Sequence, residues 1–271
     1  MLQLTDPVQM HPCFNAKAHF RYGRIHLPVA PRCNLRCAYC DRKYDCPNES
    51  RPGVTSALLS PEQAAARVAA ALKREPRIKV AGVAGPGEPL ANSETFETLR
   101  ILHRRFPQLM LCVSTNGLLL PDKLDELCSA GVRTLTITIN AIHAEAAEAL
   151  YHEVWWAGRL LPQSDGITLL LDRQRQGITE AVREGLTVKI NTVLVPGINE
   201  KEGPHIADLA RQAGATVMNL MPLIPCGLLS NATPPTSFQL SEARRQAGAF
   251  LPQFTHCKQC RADACGIPSC E

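Results

Sequence analysis

From residue 24 onward, short apolar runs alternate with stretches whose apolar positions recur every three or four residues. The first pattern marks buried strands and the second amphipathic helices. Strands are expected over 24–29, 78–84, 109–113, 134–139, 186–195 and 216–220. Between the first two, Ser60-Pro61-Glu62-Gln63 opens a helix with a capping box and a proline at its first position. Asn92 caps a helix running to residue 106, and another over 121–130 stops at Gly131. Further helices are expected over 143–151, 172–183 and 202–213. Strands alternating with helices make parallel β/α units. Six such units are fewer than the eight of a closed barrel, so the fold class is α/β, a partial (β/α)6 TIM-like barrel. Past Pro222 the periodicity stops. The remainder is a proline- and cysteine-rich irregular tail, expected to pack over one mouth of the barrel.

Chemistry clusters where each expected strand ends. A cysteine triplet follows the first, Gly85-Pro86-Gly87-Glu88-Pro89 the second and Ser114-Thr115-Asn116-Gly117 the third. Asn140 closes the fourth, Pro196-Gly197-Ile198-Asn199 follows the fifth and Met221-Pro222-Leu223 the sixth. In β/α barrels the active site lies at that face.

Composition changes the picture in one respect. The 271 residues are 45% hydrophobic and 20% charged, with a net charge of +4 and no basic run. That is an ordinary globular balance with no call on nucleic acid. Residues 1–10 lack the apolar core of a secretion signal, and no apolar stretch is long enough to span a membrane, so a cytoplasmic location is expected. Twelve cysteines in a reducing compartment imply metal or redox chemistry rather than disulfides.

Cys33, Cys37 and Cys40 stand in C-x₃-C-x₂-C spacing. Three thiolates hold three corners of a [4Fe–4S] cube and leave the fourth iron open, whereas electron-transfer clusters usually have four cysteines. The alternative is zinc, which prefers paired knuckles from two segments. The glycines of Gly85-Pro86-Gly87-Glu88 allow a close backbone approach to a ligand. The carbonyls there and the Glu88 carboxylate can accept from an ammonium group. Ser114, Asn116 and Asn140 can bond a carboxylate or a ribose. Tyr39, within the triplet, reads on its own as core packing.

The triplet resembles that of the radical S-adenosylmethionine (SAM) superfamily, in which the open iron takes SAM and an electron splits it into methionine and a 5′-deoxyadenosyl radical. The Gly85–Glu88 turn resembles that superfamily's GGEP turn, with Pro86 in place of the second glycine. For Tyr39 the resemblance implies instead a ring beside adenine. Pieces along nearly the whole chain resemble one family within it, the nitrogenase iron–molybdenum cofactor biosynthesis family NifB. They are His11-Pro12-Cys13, Asp45-Cys46, Glu49-Ser50-Arg51-Pro52-Gly53, Leu111-Cys112-Val113 and Cys257-x₂-Cys260-Arg261-Ala262-Asp263-Ala264.

The resemblance implies an enzyme of lyase and methyltransferase type that uses SAM, a SAM-binding cluster and two further [4Fe–4S] clusters, K1 and K2. A SAM-derived methyl becomes a carbide, and K1, K2 and one sulfur fuse into the eight-iron precursor NifB-co. It implies Cys13, His26 and Cys112 as K1 ligands, and Cys46, Cys257 and Cys260 as K2 ligands. Glu49 and Arg51 would handle protons or position groups near K2. Imidazole binds iron less tightly than thiolate, so His26 would ease release of K1. On their own residues, Cys112 also reads as a small buried hydrophobe, His26 as a satisfied strand histidine, and Glu49 with Arg51 as a solvated pair. Implied partners are an iron–sulfur cluster donor, a nitrogenase cofactor carrier or scaffold protein, and an electron donor such as ferredoxin or flavodoxin, with no nucleic acid and no membrane. The expected organisation is a cluster-binding segment over 1–23, the barrel over 24–221 and a cluster-binding tail over 222–271, the short form without a C-terminal carrier domain. Cys226, Cys265 and Cys270 have no assigned role. Two alternatives stand beside this reading: a radical SAM enzyme that modifies peptides or cofactors, and a non-catalytic iron–sulfur scaffold.

Overall fold

The computed structural model describes residues 7–48, 53–257 and 259–268. Its strands are β1 (Gly23–His26), β2 (Leu35–Cys37), β3 (Ile78–Val83), β4 (Met110–Thr115), β5 (Val132–Thr138), β6 (Tyr151–Trp156), β7 (Arg159–Leu160), β8 (Thr187–Leu194), β9 (Val217–Pro222) and β10 (Cys265–Gly266). Two short helices, α1 (Pro7–Met10) and α2 (Ala16–His19), precede the barrel. Its outer layer is α3 (Pro61–Arg74), α4 (Ser93–Arg105), α5 (Leu120–Ser129), α6 (Ala144–Leu150), α7 (Gln163–Arg183) and α8 (Glu202–Gln212), and α9 (Ser237–Ala247) follows.

The six expected strands form one parallel sheet in the order β1-β3-β4-β5-β8-β9, with β10 added antiparallel outside β1. Side chains from five of these strands line a single cavity, so the sheet is curled. Helices cover its convex face, where strand residues such as Ile25 and Leu135 share one buried cluster with helix residues such as Leu99, Ile178 and Ile206. Each fully buried residue of this kind contributes about 1.5–3 kcal/mol relative to exposure.

Several local expectations are met atom by atom. Ser60 and Gln63 form the complete capping box of α3 behind Pro61. Gly131 takes φ +83°, which ends the turn after α5. Asn92 occupies the N-cap position of α4 but makes no capping bond. Its side chain instead joins Arg32 to Glu88, donating to both carbonyls at 2.9 and 2.7 Å.

Other elements depart from the pattern. α7 begins at Gln163 rather than at residue 172, because Ile167 and Leu170 extend its buried face. Residues 151–160 form the antiparallel ribbon β6–β7, and β6 pairs with β2 inside the triplet. Its aromatic and β-branched residues Tyr151, Val154, Trp155 and Trp156 favour a strand there, although burial of Tyr151 and Val154 recurs every three residues rather than every two. The segment after Pro222 also carries α9, whose Thr236–Gln239 capping box is complete.

The tail does more than pack over a mouth. Leu228 N and Leu229 N donate to Ala38 O, which lays residues 226–229 against the triplet. Met218 N then donates to Pro252 O, and Phe254 N to Met218 O, so residues 252–254 run along the β9 edge. By Cys265 the chain pairs with β1 at the opposite edge. Residues 254–265 therefore cross the open side of the barrel and carry Cys257 and Cys260 to its interior.

Candidate functional site: two adjoining thiol-lined cavities

The outer cavity is lined by Cys33, Cys37, Cys40 and Cys46 together with Gly87, Glu88, Ser114, Thr115 and Asn116. The turn at Gly85–Glu88 is laced to the chain just before the triplet. Ala30 N donates to Gly85 O, Gly87 N to Ala30 O, and Glu88 N to Arg32 O. A Cβ at Gly87 would lie 2.4 Å from Arg32 O, so only glycine permits this approach. Glu88 is 3% exposed. Its Oε1 accepts from Thr115 Oγ1 at 2.6 Å and Leu90 N at 3.0 Å, and its Oε2 from Asn116 N at 2.7 Å. One carboxylate thus ties the end of β3 to the end of β4. Asn116 Nδ2 in turn donates to Asn34 Oδ1 at 2.7 Å, within the triplet loop.

Tyr39 and Asn140 are not brought to this wall. Both are fully buried behind it. The Tyr39 hydroxyl donates to Asn48 Oδ1 and receives the Asn140 amide, while Asn140 Oδ1 accepts from Val193 N at 2.8 Å. Their polar atoms are engaged within the core beneath the triplet, which corresponds to the packing alternative for Tyr39.

Burial raises the thiols. Cys33 is pushed up to about 11 by burial, with Arg42 opposing. Cys37, Cys40 and Cys46 are also raised, by burial first. Neighbouring thiols add to the rise at Cys37 and Cys46. Loading metal here must therefore release protons. Among the described residues no three His, Cys, Asp or Glu side chains are grouped around one ion. Cysteines on separate corners of a cube need no such common point, so three thiols around one cavity beside a fixed carboxylate and amide wall fit a [4Fe–4S] cluster with an open iron.

The inner cavity is lined by His11, Cys13, Arg24, His26, Cys112, Lys189, Cys257 and Cys260, and it shares Ala84 and Ser114 with the outer one. The register across β1, β3 and β4 sets His26 beside Gly82 and Gly82 beside Cys112. A Cβ at Gly82 would stand 3.7 Å from His26 Cδ2 and 3.6 Å from Cys112 Cβ. The two side chains thus flank the space that glycine leaves. His26 Nδ1 lies 3.2 Å from Arg261 O, an acceptor, so Nδ1 carries the proton and Nε2 keeps its lone pair. Burial, then Arg24, pushes the His26 imidazole down to about 3. Burial raises Cys13 to about 12 against the pull of Lys189 and Arg24.

Two cations here were not singled out from the sequence. Arg24 is fully buried and donates to Cys260 Sγ at 2.8 Å and Gly266 O at 2.9 Å. Lys189, 4% exposed, lies over the Phe14 ring at 5.3 Å. Strand alternation was the available signal: Arg24 shares a face with His26, and Lys189 with Asn191.

The proposed K1 residues Cys13, His26 and Cys112 therefore meet in one cavity, and Cys257 and Cys260 join them there. Cys46 does not; it stands with the triplet. The tail nevertheless docks beside it. Ala262 N donates to Asp45 Oδ2 at 3.5 Å, and Asp263 accepts from Ser56 Oγ at 2.6 Å and pairs with Arg261 at 2.9 Å. Burial works against the Asp263 carboxylate, but those partners hold it well below the usual range. Glu49, Arg51 and Cys270 lie outside the described residues. Cys265 pairs in β10 with Ile25, and Cys226 adjoins Cys40.

Residues 27–210 match the family model described as the radical SAM superfamily. The chain is 45% identical to the FeMo cofactor biosynthesis protein NifB of Klebsiella pneumoniae, over 97% of its own length and 58% of that protein's. It is 42% identical to the protein of that name from Chlorobaculum tepidum, over 97% of this chain and 63% of the other. Against that of Methanocaldococcus infernus it is 43% identical, over 98% of this chain and 88% of the relative. The chain thus spans about three-fifths of the first two relatives and most of the third. Among solved structures, methylornithine synthase (PylB) matches with a TM-score of 0.52 at 14% identity, over 87% of this chain and 72% of the other, which is a likeness of fold. Among the described residues no helix is long and apolar enough to cross a membrane.

Proposed function

The chain belongs to the radical SAM superfamily and, within it, to the NifB family, and from that premise we propose that it fuses two [4Fe–4S] clusters around a SAM-derived carbide. The substrates are K1 and K2, and the product is the eight-iron precursor of the nitrogenase cofactor, NifB-co. A cluster on Cys33, Cys37 and Cys40 would leave one iron for SAM and supply the electron that splits it into methionine and a 5′-deoxyadenosyl radical. This chain's part is to seat SAM and to keep both substrates within reach. The carbonyls of Gly85 and Gly87 accept from the SAM amine, and Glu88 fixes the turn and the Asn116 loop around it. Ser114, common to both cavities, bonds the SAM carboxylate. Tyr39 and Asn140 brace the triplet from behind.

K1 is carried by Cys13, His26 and Cys112. K2 is carried by Cys257 and Cys260 from the tail and by Cys46 from the outer cavity, so it bridges the two. Glu49 and Arg51, next to Cys46 in sequence, serve the K2 side. The segments 1–23 and 222–271 are thus ligand-bearing arms on a barrel over 24–221. An iron–sulfur donor loads them, ferredoxin or flavodoxin supplies electrons, and a carrier or scaffold protein of the nitrogenase system takes the product in the cytoplasm.

The observation that supports this most is the shared wall at Ala84 and Ser114, which sets two thiol-lined cavities against each other. The test is anaerobic reconstitution with iron and sulfide, followed by reductant and SAM labelled in its methyl carbon. The label should appear within an extractable eight-iron cluster. Label confined to small molecules, with only four-iron clusters recovered, would refute carbide insertion.

A further inference from the structure

His11 is 2% exposed and lines the inner cavity with Cys13, His26 and Cys112. Its Nδ1 accepts the backbone N–H of Cys13 at 3.1 Å. A ring nitrogen that accepts carries no proton, so His11 is neutral with its proton on Nε2. That Nε2 is buried and has no partner among the described residues. Native proteins rarely leave a buried donor unmade, so this one calls for an acceptor within the cavity. The ring cannot turn away easily: Phe14 packs against it at 4.3 Å between centroids, and the Cys13 N–H pins its other edge.

His26 has the opposite tautomer. Its Nδ1 donates to Arg261 O, which leaves a lone pair on Nε2. Two imidazoles in one cavity are thus set for different work. A lone pair can ligate iron. An N–H cannot, but it can donate to a sulfide or thiolate sulfur.

We propose that His11 is a recognition residue for the cluster held by Cys13, His26 and Cys112, donating its Nε2–H to one of that cluster's sulfurs while His26 ligates iron. This rests on the K1 ligand set proposed above. A hydrogen bond to cluster sulfur favours the reduced, more negative state and raises the reduction potential. His11 would therefore set when K1 can accept an electron, and it would help retain a substrate that has only three protein ligands.

The chain loaded anaerobically with iron and sulfide provides the test, with His11→Asn and His11→Gln as the variants. The Asn carbonyl reproduces the Nδ1 acceptor for Cys13 N–H but places no donor at the Nε2 position. The longer Gln amide can present one. Pulsed EPR in H₂O and D₂O reads exchangeable protons coupled to the cluster that also shows imidazole nitrogen, and a redox titration reads its midpoint. The parent should show an exchangeable proton. His11→Asn should lose it and shift to lower potential with iron content and nitrogen coupling unchanged, and His11→Gln should restore both. An unchanged proton coupling and midpoint in His11→Asn would overturn the inference alone. Loss of nitrogen coupling in His11→Asn would make His11 a ligand and overturn it as well. No nitrogen-coupled cluster in the parent would overturn both the inference and the ligand set beneath it.

Discussion

The two cavities share a wall yet are built from opposite charges. The lining of the outer one, around the triplet, includes the carboxylate of Glu88 and, among the described residues, no Lys or Arg, while Arg42 acts on Cys33 from outside that lining. Among the described residues the inner one holds two cations, Arg24 and Lys189, beside the neutral imidazoles of His11 and His26, and no carboxylate. SAM would bring an ammonium group, which the carbonyls and the carboxylate of the Gly85–Glu88 turn could receive. A cube on thiolates is an anion, which buried cations offset; an unpaired charge taken from water is otherwise costly. On the function proposed above, this contrast would suit SAM on the Glu88 side and the substrate clusters on the side of Arg24 and Lys189.

Glu88→Ala removes the acceptor of three buried donors. Each stranded donor costs about 1–3 kcal/mol, so denaturant unfolding should show a loss of at least about 3 kcal/mol. Equal stability would detach Glu88 from the scaffold role given to it. Arg24→Met removes the guanidinium donor to Gly266 O and leaves Cys260 without that cation. A loss of about 1–3 kcal/mol is expected, together with weaker iron retention on chelator challenge.

The two glycines facing these cavities should behave differently. Gly87→Ala forces a Cβ to 2.4 Å from Arg32 O and should cost about 1–3 kcal/mol. Gly82→Ala meets its neighbours at 3.4 Å or more and should stay within about 0.5 kcal/mol in the metal-free chain. Matching thermal shifts for the pair would contradict the packing described for the outer wall.

The smallest effect is a pH dependence of the metal-free protein. An unfolded thiol loses its proton near 9.0, whereas Cys33 keeps its proton to about 11 and Cys13 to about 12. Above pH 9 the unfolded chain then binds fewer protons than the folded one, so stability falls as pH rises towards 11. The melting temperature should drop across that window, and less so in a Cys13→Ser, Cys33→Ser variant. Cluster loading should show the reverse trend, because the ligands must be deprotonated.

Legibility from sequence also divided between the two cavities. The outer one is largely local. Cys33, Cys37 and Cys40 lie within eight residues, and Glu88 and Ser114 close successive strands, so periodicity alone brought them to one face. The inner one depends on pairings far apart in the chain. That Gly82 separates His26 from Cys112 follows from strand register, and that Cys257 reaches Cys13 follows from residues 254–265 crossing the barrel's open side. Neither leaves a local pattern. Arg24 and Lys189 could have been found, since each alternates inward on its strand. The ribbon at Tyr151–Trp156 and the helix Ser237–Ala247 had signals in the aromatic and β-branched content of the first and the Thr236–Gln239 box of the second, hidden by a short strand without alternation and by a proline-rich context. Tyr39 and Asn140 carried the right chemistry for ligand contact but turn into the core, a choice made by packing rather than spacing.

The central claim is that SAM is cleaved at the triplet and only there. The direct measurement is 5′-deoxyadenosine formed by the anaerobically reconstituted, reduced chain. The parent should hold about twelve irons, four per cube, and produce 5′-deoxyadenosine. The Cys257→Ala, Cys260→Ala variant should still form it at a low, uncoupled rate, whereas the Cys33→Ala, Cys37→Ala, Cys40→Ala variant should retain about eight irons and form none. Cleavage surviving in that triple variant would contradict the account.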